Sequence, residues 1–245
     1  MNKNIAIYRC CEAETHPSQF KHIRPEWFCK KKAFKSFWES AQSAGCEVKI
    51  LHDGDDGELL RYIRSITNII PHKIRAKSNL HSLMQTFDMA NDAFNNGYDN
   101  VYFIEDDYLH TTEAVDIIFK AVENFKLVTG FDHLDRYIRN DDISFGKEYI
   151  AFSTKTNRHW RTAESTTCTW ACTKSLWNEY LESAARKHAL EDRKLFRDLY
   201  NNNIRLWTPI PGVSTTIDVN TFSPGIDWAR LNMSIDITIP NSMLY

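Results

Sequence analysis

No apolar run in this chain approaches the ~20 residues that a transmembrane helix needs. No charged-then-apolar leader opens it, and its cysteines show no paired spacing of the kind that holds zinc. The 6 cysteines include the neighbours Cys10 and Cys11 and the nearby Cys168 and Cys172. That usage is expected of free thiols in a reducing cytosol, with a peripheral membrane contact left open. No glycine-rich phosphate loop of the Walker type occurs, which counts against a P-loop NTPase. Nor is there an excess of positive charge. The formal net charge is −2, whereas a general nucleic-acid binder is usually strongly basic. No internal repeat or linker-like stretch divides the 245 residues, so they are read as one domain.

What is present is ordinary in bulk and unusual at one place. Hydrophobic residues make up 42% and charged residues 25%, as expected of a globular chain with a substantial core. At 101–107 an apolar run, Val101 to Ile104, passes directly into Glu105, Asp106 and Asp107. The run suits a buried parallel strand. The three carboxylates repel one another and cannot be desolvated without a cation to compensate them. At the carboxyl end of a strand they suit a divalent ion and the phosphates it carries. The plainer alternative is a solvated turn. Two basic clusters, Lys21/Arg24/Lys30/Lys31/Lys32/Lys35 and Lys73/Arg75/Lys77, are either solvated faces or phosphate contacts.

Around that stretch the pattern alternates between strand and helix. Strands are predicted over 5–10, 47–51, 101–104 and 126–130. Helices are predicted over 27–43, 59–70, about 79–94 and 113–124. Such alternation predicts an α/β fold with a Rossmann-like, doubly wound, mostly parallel sheet. The second half is less regular. Strands are expected over 149–154 and 165–172 as a hairpin around Asn157. Helices follow to about Lys187 and over about 190–201, then a strand over 207–212. The tail from 213 reads as loop.

In its order of elements, over about residues 5 to 228, the chain resembles GT-A nucleotide-sugar glycosyltransferases, in particular family 2-like inverting members. Six features carry the resemblance: Tyr8-Arg9 and Asp53 at strand ends, Asn79 opening a helix, Glu105-Asp106-Asp107 in place of an Asp-x-Asp motif, Glu191-Asp192 opening a late helix, and the Pro211-Gly212 turn. The resemblance implies a nucleotide-binding half, about 1–130, and an irregular acceptor-binding half, about 131–245. Tyr8, Arg9 and Asp53 would then hold base and ribose. Arg75, Lys77 and Asn79 would lie by the ribose or diphosphate. Asp107 would hold Mn²⁺ or Mg²⁺, with Asp106 toward the ribose or the metal's water and Glu105 less defined. Asp192 would be the general base, with Glu191 second. Such enzymes often place a metal-binding His in the C-terminal segment. None stands near Thr216, which leaves Asp218 as a substitute ligand, the trio alone, or lost metal dependence. Trp160 and Arg161, in a hydroxyl-rich and basic stretch, are expected at the donor sugar or the acceptor.

The implied activity is metal-assisted, inverting transfer of a sugar from a nucleotide-diphosphate donor, a UDP-sugar first, to a hydroxyl of a carbohydrate or other acceptor. A modified DNA base is a less favoured acceptor because of the charge balance. Two alternatives stand beside it. One is a nucleotidyltransferase or other metal-dependent phosphoryl-transfer enzyme, and the other is a non-catalytic nucleotide or carbohydrate binder on the same fold.

Overall fold

The computed structural model describes residues 2–13, 23–134, 137, 148–167 and 169–239. Lys21, Cys168 and most of the 131–148 loop therefore lie outside the described residues. Strands β1 (Asn4–Cys11), β2 (Glu47–Asp53), β3 (His72–Ile74) and β4 (Asn100–Glu105) pair in parallel in the order β3-β2-β1-β4. The sheet continues through β9 (Trp170–Thr173), β6 (Leu127–Val128), β10 (Leu206–Ile210), β8 (Arg158–Ala163) and β7 (Ile150–Ser153). β9 is antiparallel to both β4 and β6, β10 is parallel to β6, and β8 is antiparallel to β10 and β7. Seven of the nine strands thus point the same way, as the α/β expectation requires.

The strands are two-faced, and their residue alternation assigns the helices to layers. Ala6, Tyr8, Tyr102 and Ile104 face a core shared with α1 (Lys30–Ser43), α2 (Glu58–Ile66) and α4 (Ala114–Phe125). Ile5, Ile7, Val101 and Phe103 face the opposite core. That second core is built by α3 (Asn79–Asn95), by α5 (Lys174–Leu176, the π-helical Trp177–Leu181 and Glu182–Lys187), and by α6 (Asp192–Asn201). Trp177 is its centrepiece. It is fully buried, touches the rings of Phe87, Phe94, Phe103 and Trp170, and donates its indole N–H to Asn91 Oδ1 at 2.6 Å.

Several sequence expectations are corrected here. The hairpin does turn at Asn157, whose φ is 50°, but its return strand is β8 rather than 165–172. The segment Tyr108–His110, read as loop, is a short strand, β5, and the tail supplies its partner, β11 (Ser214–Thr216). The tail also contains helix α7 (Trp228–Ser234), with Asp227 accepting from the Arg230 N–H at 2.9 Å as its cap. The helix expected over 59–70 stops at Ile66. A two-stranded ribbon of β5 and β11 therefore ties residues beyond 213 to the acidic turn, and Ile217 N–H donates to the Asp107 carbonyl at 2.8 Å.

Trp177→Ala leaves the second core with a large cavity and an Asn91 Oδ1 that has lost its donor. It is expected to cost about 3–5 kcal/mol of stability, measured by denaturant titration.

Candidate functional site

In open α/β sheets ligands bind beyond the carboxyl ends of the strands, where the strand order reverses. Here that point is the β1/β4 boundary, since β2 leaves β1 on one side and β4 on the other. A cavity of about 570 Å³ opens there, within the size range of small-molecule sites. Its walls come from the ends of β1, β2 and β4, the start of α1 and the N-terminus of α3.

The acidic trio forms one side, and each carboxylate has its own cation. Arg9 and Glu105 are register partners on neighbouring strands, and their side chains pair. The same guanidinium donates to Asn79 Oδ1 at 2.5 Å, tying β1 to the start of α3. Asp106 Oδ2 accepts from Lys30 Nζ at 2.9 Å and from the Cys11 backbone N–H at 2.9 Å. Asp107 Oδ2 accepts from Arg24 at 2.8 Å, and its Oδ1 is buried without a hydrogen-bond partner. All three cations are only 12–13% exposed at the side chain. Lys30 opens α1, where a positive charge opposes the helix dipole. Burial works most strongly against its charge, yet Asp106, Cys11 and Asp107 together more than compensate and hold the ammonium above its ordinary range. Burial pushes the Glu105 and Asp106 carboxyls upward, with Arg9 and Lys30 pulling the other way.

The opposite wall is a ready anion site. Lys77, Ser78, Asn79 and Ser82 line it at the α3 N-terminus, whose cap Ser78 accepts from His81 N–H. Asp53 lines the cavity from β2, with Oδ1 accepting from Ala76 N–H at 2.9 Å. Gly54 beside it has φ +107°, a conformation that a side chain would strain. Glu12, also in the wall, caps α2 by accepting from the Leu59 and Leu60 N–H groups. Gly57 leaves room for that cap, since a Cβ there would fall 2.1 Å from Glu12 Cδ.

Asp192 is the first residue of α6 and feels the trio electrostatically. Burial, then the negative charge of Glu105, pushes its carboxyl up to about 7, with Arg9 opposing. That places it where a general base operates at neutral pH. Glu191 is exposed and paired with Lys194 at 2.5 Å, so its carboxylate is engaged away from the trio.

Not every residue expected at the site is in it. Tyr8 is wholly buried, stacked on Phe37 and edge-on to Phe34, because it shares the helix-facing side of β1 with Ala6. It packs the core beneath the site instead of holding a base. Trp160 is also fully buried, against Phe125, with its indole N–H on Thr156 Oγ1. Arg161 is buried and forks onto Asp132. Neither lines the cavity. Arg75 is 82% exposed and, although it pairs with the lining residue Asp55, is itself absent from the lining. Asp218 accepts from the Ile23 and Asn220 N–H groups and is also absent from the lining. Among the described residues no three His, Cys, Asp or Glu side chains converge as a metal cage, so Glu105, Asp107 and Asp218 are not assembled as one. Arg24, Lys30 and Cys11, in contrast, belong to the site. The first two were visible only as members of a basic cluster, and no spacing links them to the trio.

No family model matches this sequence, and no curated protein matches it. Two solved structures align with it over most of their length. One is a protein from Desulfovibrio desulfuricans G20 described as a candidate nucleotide-diphospho-sugar transferase. It shows 9% identity, 85% coverage of this chain and 80% of that one, and a TM-score of 0.45. The other is A197 from STIV, at 10% identity, 91% and 90% coverage and a TM-score of 0.45. No helix among the described residues is long and apolar enough to cross a membrane.

The raised carboxyl of Asp192 also makes a stability prediction. The folded chain holds this proton more tightly than the unfolded chain, whose Asp titrates near 4. Ionisation therefore costs stability progressively from about pH 4 to about 7 and by a constant amount above. Asp192→Asn is expected to melt a few degrees higher than wild type at pH 8, with the difference closing toward pH 4.

Proposed function

We propose that the chain is a glycosyltransferase that moves a sugar from a nucleotide-diphosphate donor, a UDP-sugar first, to an acceptor hydroxyl. The observation that carries this reading is the cavity at the β1/β4 switch point, with the acidic trio on one wall and a helix N-terminus on the other. The α3 terminus, Lys77 and the donors of Arg9 suit a diphosphate, and Asp53 suits a ribose hydroxyl. A hard divalent cation would find one protein ligand here, the buried Oδ1 of Asp107, which has no hydrogen-bond partner, and would take its other oxygens from the diphosphate and water. Asp107 would hold Mn²⁺ or Mg²⁺, with Asp106 close enough to reach the ribose or a water on the metal. When bound, such an ion neutralises charge growing on the leaving diphosphate.

The chain's own groups supply the rest. Arg9 pairs with Glu105, opposing the upward push of burial on that carboxyl, and fixes Asn79 at the α3 terminus. Asp192, ionised above about pH 7, accepts the proton of the acceptor hydroxyl as it attacks the sugar carbon. A single displacement of this kind inverts the configuration. Rate is expected to rise with pH through about 7, since the protonated carboxyl cannot act as a base.

The test is nucleoside diphosphate release from a panel of UDP-, GDP- and dTDP-sugars with Mn²⁺ present. One donor class is expected to be hydrolysed slowly without an acceptor. Absence of both binding and hydrolysis across the whole panel would sink the reading. With an acceptor in hand, Asp192→Asn is expected to lower kcat by roughly 10²–10⁴-fold while donor affinity holds. A binder without catalysis would instead retain affinity and show no turnover in wild type.

A further inference from the structure

Arg24 is anchored on three sides. One guanidinium nitrogen donates to the Ile217 carbonyl at 2.6 Å, the plane lies over the Phe28 ring with 4.6 Å to its centroid, and the other terminal nitrogen donates to Asp107 Oδ2 at 2.8 Å. Two of these three contacts do not involve Asp107. The guanidinium can therefore keep its place while one nitrogen changes partner. Asp107 is also the one member of the trio with a buried oxygen that lacks a hydrogen-bond partner.

Charge then decides how ligands enter. The three carboxylates and Arg9, Arg24 and Lys30 sum to zero. A bare divalent ion arriving at Asp107 meets a carboxylate already neutralised and a guanidinium that repels it across a poorly solvated gap. A bare diphosphate finds Lys77 and the α3 terminus, but on the acidic wall it meets cations already paired with carboxylates. Arriving together, ion and diphosphate nearly cancel, and the Arg24 nitrogen released from Asp107 has a phosphate oxygen to accept it.

We propose that Arg24 is the resident counter-cation of Asp107, and that a divalent ion must compete with it, so that metal and nucleoside diphosphate bind as a coupled pair. This rests on the donor reading above only for the diphosphate. The competition at Asp107 stands on the Arg24 contact alone. The coupling is reciprocal, so each ligand tightens the other by the same factor.

The experiment titrates Mn²⁺ calorimetrically into the full chain, with and without UDP, for wild type, Arg24→Gln and Arg24→Lys. Arg24→Gln is expected to bind Mn²⁺ alone about tenfold more tightly than wild type, within the usual range of such couplings. Arg24→Lys keeps a cation there and is expected to stay near wild type. In wild type, UDP is expected to tighten Mn²⁺ about tenfold or more, a factor that shrinks in Arg24→Gln. Folded Arg24→Gln with unchanged or weaker affinity for Mn²⁺ alone overturns the proposal. If that variant does not fold, wild type decides, and UDP that binds yet leaves the Mn²⁺ affinity unchanged overturns it. Failure of every nucleoside diphosphate to bind would sink the donor reading, while the comparison with Mn²⁺ alone would still settle the role of Arg24.

Discussion

Three adjacent carboxylates at the end of a buried strand are the constraint around which this molecule is arranged. Each is answered by a cation from a different part of the chain: Arg9 from β1, Lys30 from the start of α1, and Arg24 from the loop before it. Removing any one cation would leave a poorly solvated charge uncompensated, which is far costlier than never having the pair. The positions of three elements are thus coupled to the acidic turn. The cavity is the space left between that turn and the α3 terminus.

The arrangement also separates the acids by task. Glu105 is the register partner of Arg9, and its charge is felt by Asp192. Asp106 is locked by an ammonium and a backbone N–H. Asp107 alone of the three keeps a buried oxygen without a hydrogen-bond partner. Three residues of like chemistry become unlike through what stands opposite each of them.

Much of the frame was legible in the sequence, because its signals are local. Long apolar runs marked β1, β2 and β4, and 3.6-residue periodicity marked α1, α3 and α4. The acidic turn, Asp53 and Asn79 followed from their places at strand and helix ends. What escaped was nonlocal. β5 and β11 are three residues each, hydroxyl- and aromatic-rich, and exist only because they pair across about a hundred residues of chain. Arg24 and Lys30 looked like surface charges until their partners were known. Tyr8 and Trp160 show the opposite error. The resemblance at the first strand end for Tyr8, and the hydroxyl-rich, basic stretch around Trp160, suggested ligand contacts, but strand alternation places both rings in the core. That alternation was readable for Tyr8, two residues from Ala6 and Cys10 on the same face.

The β5–β11 ribbon has a consequence for how the protein comes into being. The Ile217 N–H holds the Asp107 carbonyl, and the Ile217 carbonyl holds Arg24, a contact spanning 193 residues of sequence. The acidic turn is translated in the first half of the chain, but its last fastening is made almost at the end. A nascent chain emerging from the ribosome carries Asp107 without this support until Ile217 has been added. Contacts closed over so long a loop form late and slowly. The parallel core can assemble first, and the acidic turn gains its support from Ile217 afterwards.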